Sequence, residues 1–407
     1  MAWAHAICLL LFAVGLTLRV AHFDVPVYTP DEDAYINFYG VPLFDEGLGA
    51  LPALVRDYNS RPPLQQFPPP TRIGHLLPMV ALMRLCGDHE PPTAALLSAF
   101  ASVALLLIIW GLGAMIDPWV AAAALLFVIV SPLDLAMARR AWGDELLALC
   151  SAAMMLAAAR LIARPQRTRW AIVALALGAY AVLIKETGLF LLGFTGVALT
   201  IVTWRAEGAR RGLLMAAGGV SAMLVAAVVL AAACGGFSPV RTALAAMQTA
   251  ARTNEYVSHY QTGGIGYYVR GLALVQPLSI LLGVGGAICV AIRLAFLRTV
   301  SSRKGASATL AVMAWLAISL GIVAVLYPQK NLRFLSPIYP VLDLLAGAMI
   351  VASFRALTRN ASHRVRVVAF AALSALLVGA AAMDHARFVN YFVTRGIPDL
   401  ATPWFTR

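Results

Sequence analysis

Residues 92–115 read PTAALLSAFASVALLLIIWGLGAM, twenty-four positions without one charged side chain. As an α-helix rising 1.5 Å per residue this stretch is about 36 Å long, enough to cross the ~30 Å hydrocarbon layer of a bilayer. A surface helix of a soluble protein would show a polar face, and this one shows none. The chain repeats the pattern near residues 2–19, 118–137, 145–163, 170–184, 187–204, 212–234, 268–292, 308–327, 333–353 and 366–383, so that eleven spans are expected. Composition agrees: of 407 residues 61% are hydrophobic and 12% charged, against roughly half and a quarter in soluble domains. The expected fold class is an all-α polytopic membrane protein with about eleven transmembrane helices, forming one membrane domain over residues 1–407 with no separate soluble domain.

The net charge of +12 would suggest nucleic acid in a soluble protein. Here the arginines lie in short clusters between apolar runs, so no nucleic-acid partner is expected. The clusters Arg160 to Arg169, Arg205 to Arg211, Arg293 to Lys304 and Arg355 to Arg366 fall on alternate connections, which the positive-inside rule places in the cytoplasm. External connections are then residues 20–91, the segment Arg139 to Glu145, the Lys185 region, residues 235–267 and the turn from Tyr327 to Arg333. The N-terminus reads as cytoplasmic and the C-terminus as external. The first run, Trp3 to Leu18, lacks a positive leader and a small-residue cleavage site, so it reads as a retained helix. Cys8, Cys86, Cys150, Cys234 and Cys289 are scattered, with no metal-ligand spacing and no pairing pattern.

The first external connection, about residues 20–91, is long for a plain link. Ile73 to Gly87 is apolar but short, and counting it as a span would invert every later connection against the charge rule. It reads as a helix lying in the interface, as does Ala34 to Val55, with the proline-rich stretch Arg61-Pro62-Pro63 to Pro68-Pro69-Pro70 between them.

Charged residues on the external side are the candidates for chemistry. Thr29-Pro30-Asp31-Glu32-Asp33-Ala34-Tyr35 is the densest acidic site. It reads either as a solvated cap for a helix starting at Asp33 or as a general base able to deprotonate an acceptor hydroxyl or amine. A second acidic pair, Asp144-Glu145, opens a span directly after Arg139-Arg140 and would converge with the first if the two helices pack together. Arg72, Arg139, Arg140, Lys330 and Arg333 sit externally against the charge rule, and as a set they suit an anionic lipid phosphate. Lys185-Glu186, at a turn between two spans, reads as an ion pair. Tyr256, His259, Tyr260, Tyr267 and Tyr268 read as interfacial anchors, with sugar stacking as the other use of such rings.

These segments resemble, in order, the motifs of the GT-C superfamily of membrane glycosyltransferases, in particular the protein O-mannosyltransferase and lipid A aminoarabinose-transferase branch. Pro30 to Tyr35 is similar to its first acidic motif; Pro69 to His75 and Leu85 to Asp88 resemble the start and end of its second interfacial helix. Ser131-Pro132 through Arg139 to Leu147 resembles its second acidic site, and Lys185 to Gly188 and Lys330 to Pro337 resemble two further motifs. Thr71 and Arg72 stand where relatives often carry lysine, and Ala34 where the aminoarabinose transferases carry arginine.

The resemblance implies a GT-C fold with interfacial helices in the first external loop, and inverting transfer of a hexose or pentose from a polyprenyl-phosphate donor on the external face. The acceptor would be a glycan, a lipid or a protein, and membrane lipid would surround the chain. It implies Asp31, Glu32 and Asp144 as catalytic, and Tyr35, Arg72, His75, Arg139, Glu145, Lys330 and Arg333 as substrate-binding. No cofactor is certain, and a divalent cation at Asp31 and Asp144 is left open. The expected place is the inner membrane of a cell with a periplasm. The alternative from another class is a multi-pass transporter or lipid flippase. Such proteins concentrate polar groups at the bilayer midplane, whereas the charges here gather at one interface.

Overall fold

The computed structural model describes residues 2–21, 23, 29–61, 68–296 and 304–406; the proline-rich residues 62–67 and the basic run 297–303 lie outside them. Among the described residues there is no strand. In chain order the helices are α1 (Ala2–Ala21), α2 (Pro30–Asp33), α3 (Val41–Glu46), α4 (Leu51–Ser60), α5 (Ile73–Cys86), α6 (Pro91–Ile116), α7 (Pro118–Val130), α8 (Pro132–Met137), α9 (Asp144–Ala163) and α10 (Arg169–Ile184). They continue as α11 (Gly188–Glu207), α12 (Ala209–Ala233), α13 (Phe237–Thr253), α14 (Glu255–Tyr260), α15 (Ile265–Val275), α16 (Pro277–Phe296), α17 (Lys304–Leu326), α18 (Tyr339–Leu357) and α19 (His363–Phe388).

Eight of these, α1, α6, α9, α11, α12, α17, α18 and α19, are long and apolar enough to cross a membrane. The shorter apolar helices α7, α10 and α16 lie within the remaining expected spans, so each of the eleven runs contains a long apolar or shorter apolar helix in the expected order. The protein is an all-α polytopic membrane protein. Its outer faces agree: Leu224 on α12 and Leu376 on α19 are 61% and 72% exposed, a surface that only lipid covers favourably. Inside, α9 is buried along most of its length by α6, α10 and α17, and α18 packs between α7 and α16. Small residues permit the close approach that helix packing in lipid relies on. A Cβ on Gly283 of α16 would stand 2.5 Å from the Leu342 carbonyl oxygen of α18.

Both ends of the bundle keep to the alternation. Arg355, at the end of α18, pairs at 2.8 Å with Asp117 between α6 and α7, and the Trp110 indole donates to His5 near the start of α1. The chain's first residues, the α6–α7 connection and the end of α18 therefore share one side. Asp144 and Arg160, at opposite ends of α9, put the acidic motif and the basic cluster on opposite sides.

Three expected spans are broken. The run 118–137 stops at Val130 because the Ser131 hydroxyl accepts from Asp134 N at 3.2 Å and Pro132 starts a new helix. The run 268–292 splits at Gln276-Pro277, and the run 333–353 begins with a 3₁₀ turn, Leu332–Leu335, before α18. The interfacial segment 34–55 is a π-helical turn, Ala34–Gly40, followed by α3; it breaks at Gly47, whose φ of 86° is left-handed, before α4. Residues 235–267, expected as a connection, contain α13, which lays Val240, Ala243, Met247 and Ala250 inward against the first loop. Its amphipathic pattern, with helical spacing of the apolar face, carried that signal.

Candidate active site

The first acidic motif is built on one helical turn. Thr29 and Glu32 form a capping box: the Thr29 hydroxyl accepts from Glu32 N at 3.3 Å, and the Glu32 carboxylate accepts from Thr29 N at 3.0 Å. The helix thus starts at Pro30, three residues before the expected Asp33. The fully buried Glu32 carboxylate also accepts from Arg140 Nη1 at 2.9 Å and from Ala141 N at 3.2 Å, which clamps the first loop to the segment before α9. Asp31 projects from the same turn in another direction, and Arg333 Nη2 donates to its Oδ2.

Two further ion pairs surround it. Lys185 Nζ donates to Asp144 Oδ1 at 2.6 Å, and Arg72 grips Glu186 through Nε at 3.1 Å and Nη2 at 2.9 Å. The expected Lys185-Glu186 ion pair is therefore not formed. Adjacent residues in a turn point apart, and each has found a partner from another element. Burial disfavours each charge and the partners oppose it, with a different winner at each group. Burial takes the Lys185 ammonium below its ordinary value against the pull of Asp144. Against the opposing effect of burial, Arg72 holds Glu186 below the usual carboxylate range, and Asp31, Asp399 and Asp144 together hold Arg333 above its own. Two rings support the cations: the Arg333 guanidinium lies 4.8 Å from the Trp142 ring centre and Lys185 Nζ 4.8 Å from that of Phe334.

These groups share a cleft. Arg72, Lys185, Glu186 and Arg333 form its polar end, and Phe190 of α11, Leu320 and Val323 of α17 and Met247 of α13 form apolar walls. The cleft is amphipathic, with three cationic side chains at its head.

Of the expected substrate-binding residues, Arg72 and Arg333 line the cleft, and Tyr35 stands behind Arg72, its hydroxyl accepting from Nη1 at 2.6 Å. Lys330 does not line it. Its Nζ donates to the carbonyl oxygens of Ala324, Val325 and Tyr327, where it caps the end of α17. Arg139 reaches the Phe392 carbonyl at 3.4 Å beyond α19. Glu145 is fully buried and faces Asp134, away from the Asp144 side, because consecutive helical positions point about 100° apart. Sequence reading missed Lys185 as a cleft residue, although its position at an expected external turn was the available signal. It also missed Asp399. That carboxylate, on the segment after α19, accepts from Tyr256 Oη at 2.7 Å, Gln261 Nε2 at 3.1 Å and Asn331 Nδ2 at 3.0 Å, and the Asn331 side chain in turn accepts from Arg333 N. Asp399 thereby steadies the turn that carries Arg333.

Among the described residues no group of three His, Cys, Asp or Glu side chains could hold a metal ion. Asp31 and Asp144 already carry Arg333 and Lys185, so the residues present do not fit a cation between them without displacing both.

His75 is fully buried with Nε2 3.1 Å from the Ala141 carbonyl oxygen, so the ring proton is assigned there and the imidazole is neutral. Burial pulls its pKa down to about 4, against roughly 6.5 in an unfolded chain. With the folded value depressed, its contribution is intact above about 6.5 and is lost as pH falls towards about 4, a span worth about 3 kcal/mol. The apparent melting temperature of detergent-purified protein should fall over that window, and His75→Asn should flatten that part of the curve. An unchanged slope in the variant would assign the acid sensitivity to other groups.

No family model matches the chain, and no curated protein matches it by sequence. Solved structures do match its fold. The oligosaccharyltransferase AglB of Archaeoglobus fulgidus, in complex with an inhibitory peptide and a dolichol-phosphate, superposes with a TM-score of 0.57 at 13% identity, over 94% of this chain and 56% of that one. The oligosaccharyltransferase of the same organism in complex with Zn and sulfate gives 0.54 at 14%, over 93% and 53%. ArnT from Cupriavidus metallidurans bound to undecaprenyl phosphate gives 0.52 at 19%, over 99% and 73%. This chain spans just over half the length of the archaeal proteins. At 13–19% identity these superpositions show the fold alone, and the fold of this chain is the GT-C fold.

Proposed function

We propose that the chain is an inverting glycosyltransferase that moves a sugar from a polyprenyl-phosphate donor to an acceptor on the external face of the inner membrane. The carrying observation is the amphipathic cleft, where Arg72, Lys185 and Arg333 converge at the head of apolar walls from α11 and α17, beside Asp31. A lipid phosphate matches that division: anion at the cations, chain along the apolar walls. The dolichol-phosphate and undecaprenyl phosphate bound by the structural neighbours support the same donor class.

In this reading the acceptor hydroxyl or amine gives its proton to Asp31 as its oxygen or nitrogen bonds to the anomeric carbon. The bond from that carbon to the phosphate oxygen breaks, and its electron pair leaves with the polyprenyl phosphate. Attack opposite the leaving group inverts the centre. Arg333, Arg72 and Lys185 neutralise the charge that develops on the phosphate, the work expected of groups fixed before the reaction. Glu32 positions Asp31 by fixing the turn that bears it, and Asp144 positions Lys185. Tyr35 and His75 pack edge to face at 5.0 Å behind Arg72 and hold it. No step is routed through a metal ion.

The test is transfer by protein in proteoliposomes from radiolabelled polyprenyl-phosphate sugars to glycan, lipid or peptide acceptors. Expected is label leaving the carrier lipid for one acceptor class. Intact labelled donor crossing the bilayer with no transfer would establish the flippase reading instead.

A further inference from the structure

Beneath the cleft lies a second polar cluster that the transfer reaction does not use. Arg19 of α1 donates to Asp134 of α8 and, through Nε at 2.6 Å, to Ser102 of α6; Glu145 of α9 lies against the same Asp134. Ser131 donates at 2.7 Å to Gln276, and Gln276 donates at 2.6 Å to Ser279, whose hydroxyl meets Asp343 of α18. A small cavity between Asp134 and Asp343 admits about one water-sized body. Ser131, Asp134, Ser336 and Asp343 all line it. Two of their oxygens, Ser336 Oγ and Asp343 Oδ1, have no hydrogen-bond partner although Ser336 is 0% and Asp343 2% exposed.

Charge decides what belongs there. Three carboxyls, Asp134, Glu145 and Asp343, sit in this apolar surrounding with Arg19 as the near cation, and its guanidinium is committed to Asp134. Asp384 of α19, which also faces Asp343, takes Arg387. Asp343 then has a serine hydroxyl but no cation, and an unpaired buried carboxylate is costly. A bridging water would fill the cavity but leave the charge. A divalent ion would demand more carboxylates than the site offers, since no group of three metal-binding side chains occurs among the described residues.

We propose that Ser131, Asp134, Ser336 and Asp343 form a binding site for a single small monovalent cation, sodium rather than potassium in size, locked between α8, α18 and the turn that ends at Ser336. All four offer hard oxygen ligands. Ser336 follows the Leu332–Leu335 turn directly, so the bound ion ties the turn bearing Arg333 to α8 and α18.

The experiment reads binding through stability and does not depend on catalysis. Detergent-purified protein is melted in choline chloride, potassium chloride and sodium chloride at one ionic strength, and sodium is then titrated. A ligand bound only by the folded state raises the melting temperature with a saturating dependence on its concentration. Expected is a saturable rise with sodium, little with potassium and none with choline. Asp343→Asn should melt at one temperature in all three salts, at or above that of the sodium-free wild type, because it removes the uncompensated charge. Ser336→Ala, the milder variant, should shift the sodium midpoint up by about tenfold or more. Identical melting of the wild type in all three salts overturns the proposal and makes Asp343 a protonated acid. A sodium response that survives in both variants overturns it as well and puts the ion elsewhere.

Discussion

Asp31→Asn should lower sugar transfer by about 10²–10⁴-fold, the range that general-base catalysis contributes, while the protein folds and inserts as before. The side chain is the same size and keeps an oxygen for Arg333, but it no longer accepts a proton. Folding should tolerate the change because Asp31 is 14% accessible and, among the described residues, pairs with Arg333 alone. Glu32 differs. Its carboxylate is 1% accessible and accepts from Thr29, Arg140 and Ala141, so Glu32→Ala would strand a buried guanidinium and damage the fold before it reports on chemistry. The measurement is the initial rate at saturating donor and acceptor, together with donor KM. The expected signature is a fall in maximal rate with donor KM unchanged or lower. A variant that transfers at the wild-type rate removes Asp31 as the base. One that loses activity only by failing to accumulate makes it structural.

Asp31 and Glu32 also mark how far the sequence carries. Two adjacent acids at a helix start are compatible with a cap and with a base, and local spacing cannot divide the roles because the dividing partners lie about a hundred and about three hundred residues away, at Arg140 and Arg333. The spans were legible because lipid imposes a composition on twenty or so consecutive residues, a local constraint. Their interruptions at Ser131-Pro132 and Gln276-Pro277 carried a local signal too, in the proline, but an apolar run on either side hides it. Pairings were not legible. Lys185 and Glu186 look like each other's partners, yet Lys185 goes to Asp144 and Glu186 to Arg72, a choice made by the packing of α5, α9 and α10. Lys330 reads in the sequence as an external cation beside Arg333, and only its direction in space shows that it caps α17. Asp399 had no motif around it, and its importance comes from the return of the last segment over the turn at Asn331.

Arg333→Ala should reduce transfer by about 10²–10³-fold, the scale seen when one preorganised donor to a developing oxyanion is removed, and the form of the loss should reveal how donor and base are coupled. Without donor, Arg333 is bound to Asp31 and stacked on Trp142. A base held by a guanidinium is a poor proton acceptor. When a lipid phosphate enters the head of the cleft, its charge competes with Asp31 for Arg333, and a carboxylate released from the guanidinium is free to take the acceptor's proton at the moment the sugar is in place. Such a contest has a thermodynamic consequence. In Asp31→Asn, Arg333 no longer has a carboxylate to leave, so polyprenyl phosphate should bind more tightly than to wild type, by a few-fold to tenfold. In Arg333→Ala it should bind about tenfold or more weakly, since a hydrogen bond between charged groups is lost. The double variant should bind as Arg333→Ala does, because Asp31 acts on the phosphate only through Arg333, and the non-additivity measures that coupling. Lysine at position 333 should recover part of the affinity and less of the rate, as its ammonium supplies charge without the planar fork. Titration of labelled polyprenyl phosphate against the wild type and the four variants, with their transfer rates, reads all of this. Affinities that add across the two sites would mean that Arg333 and Asp31 act separately, and the donor would then have no part in freeing the base.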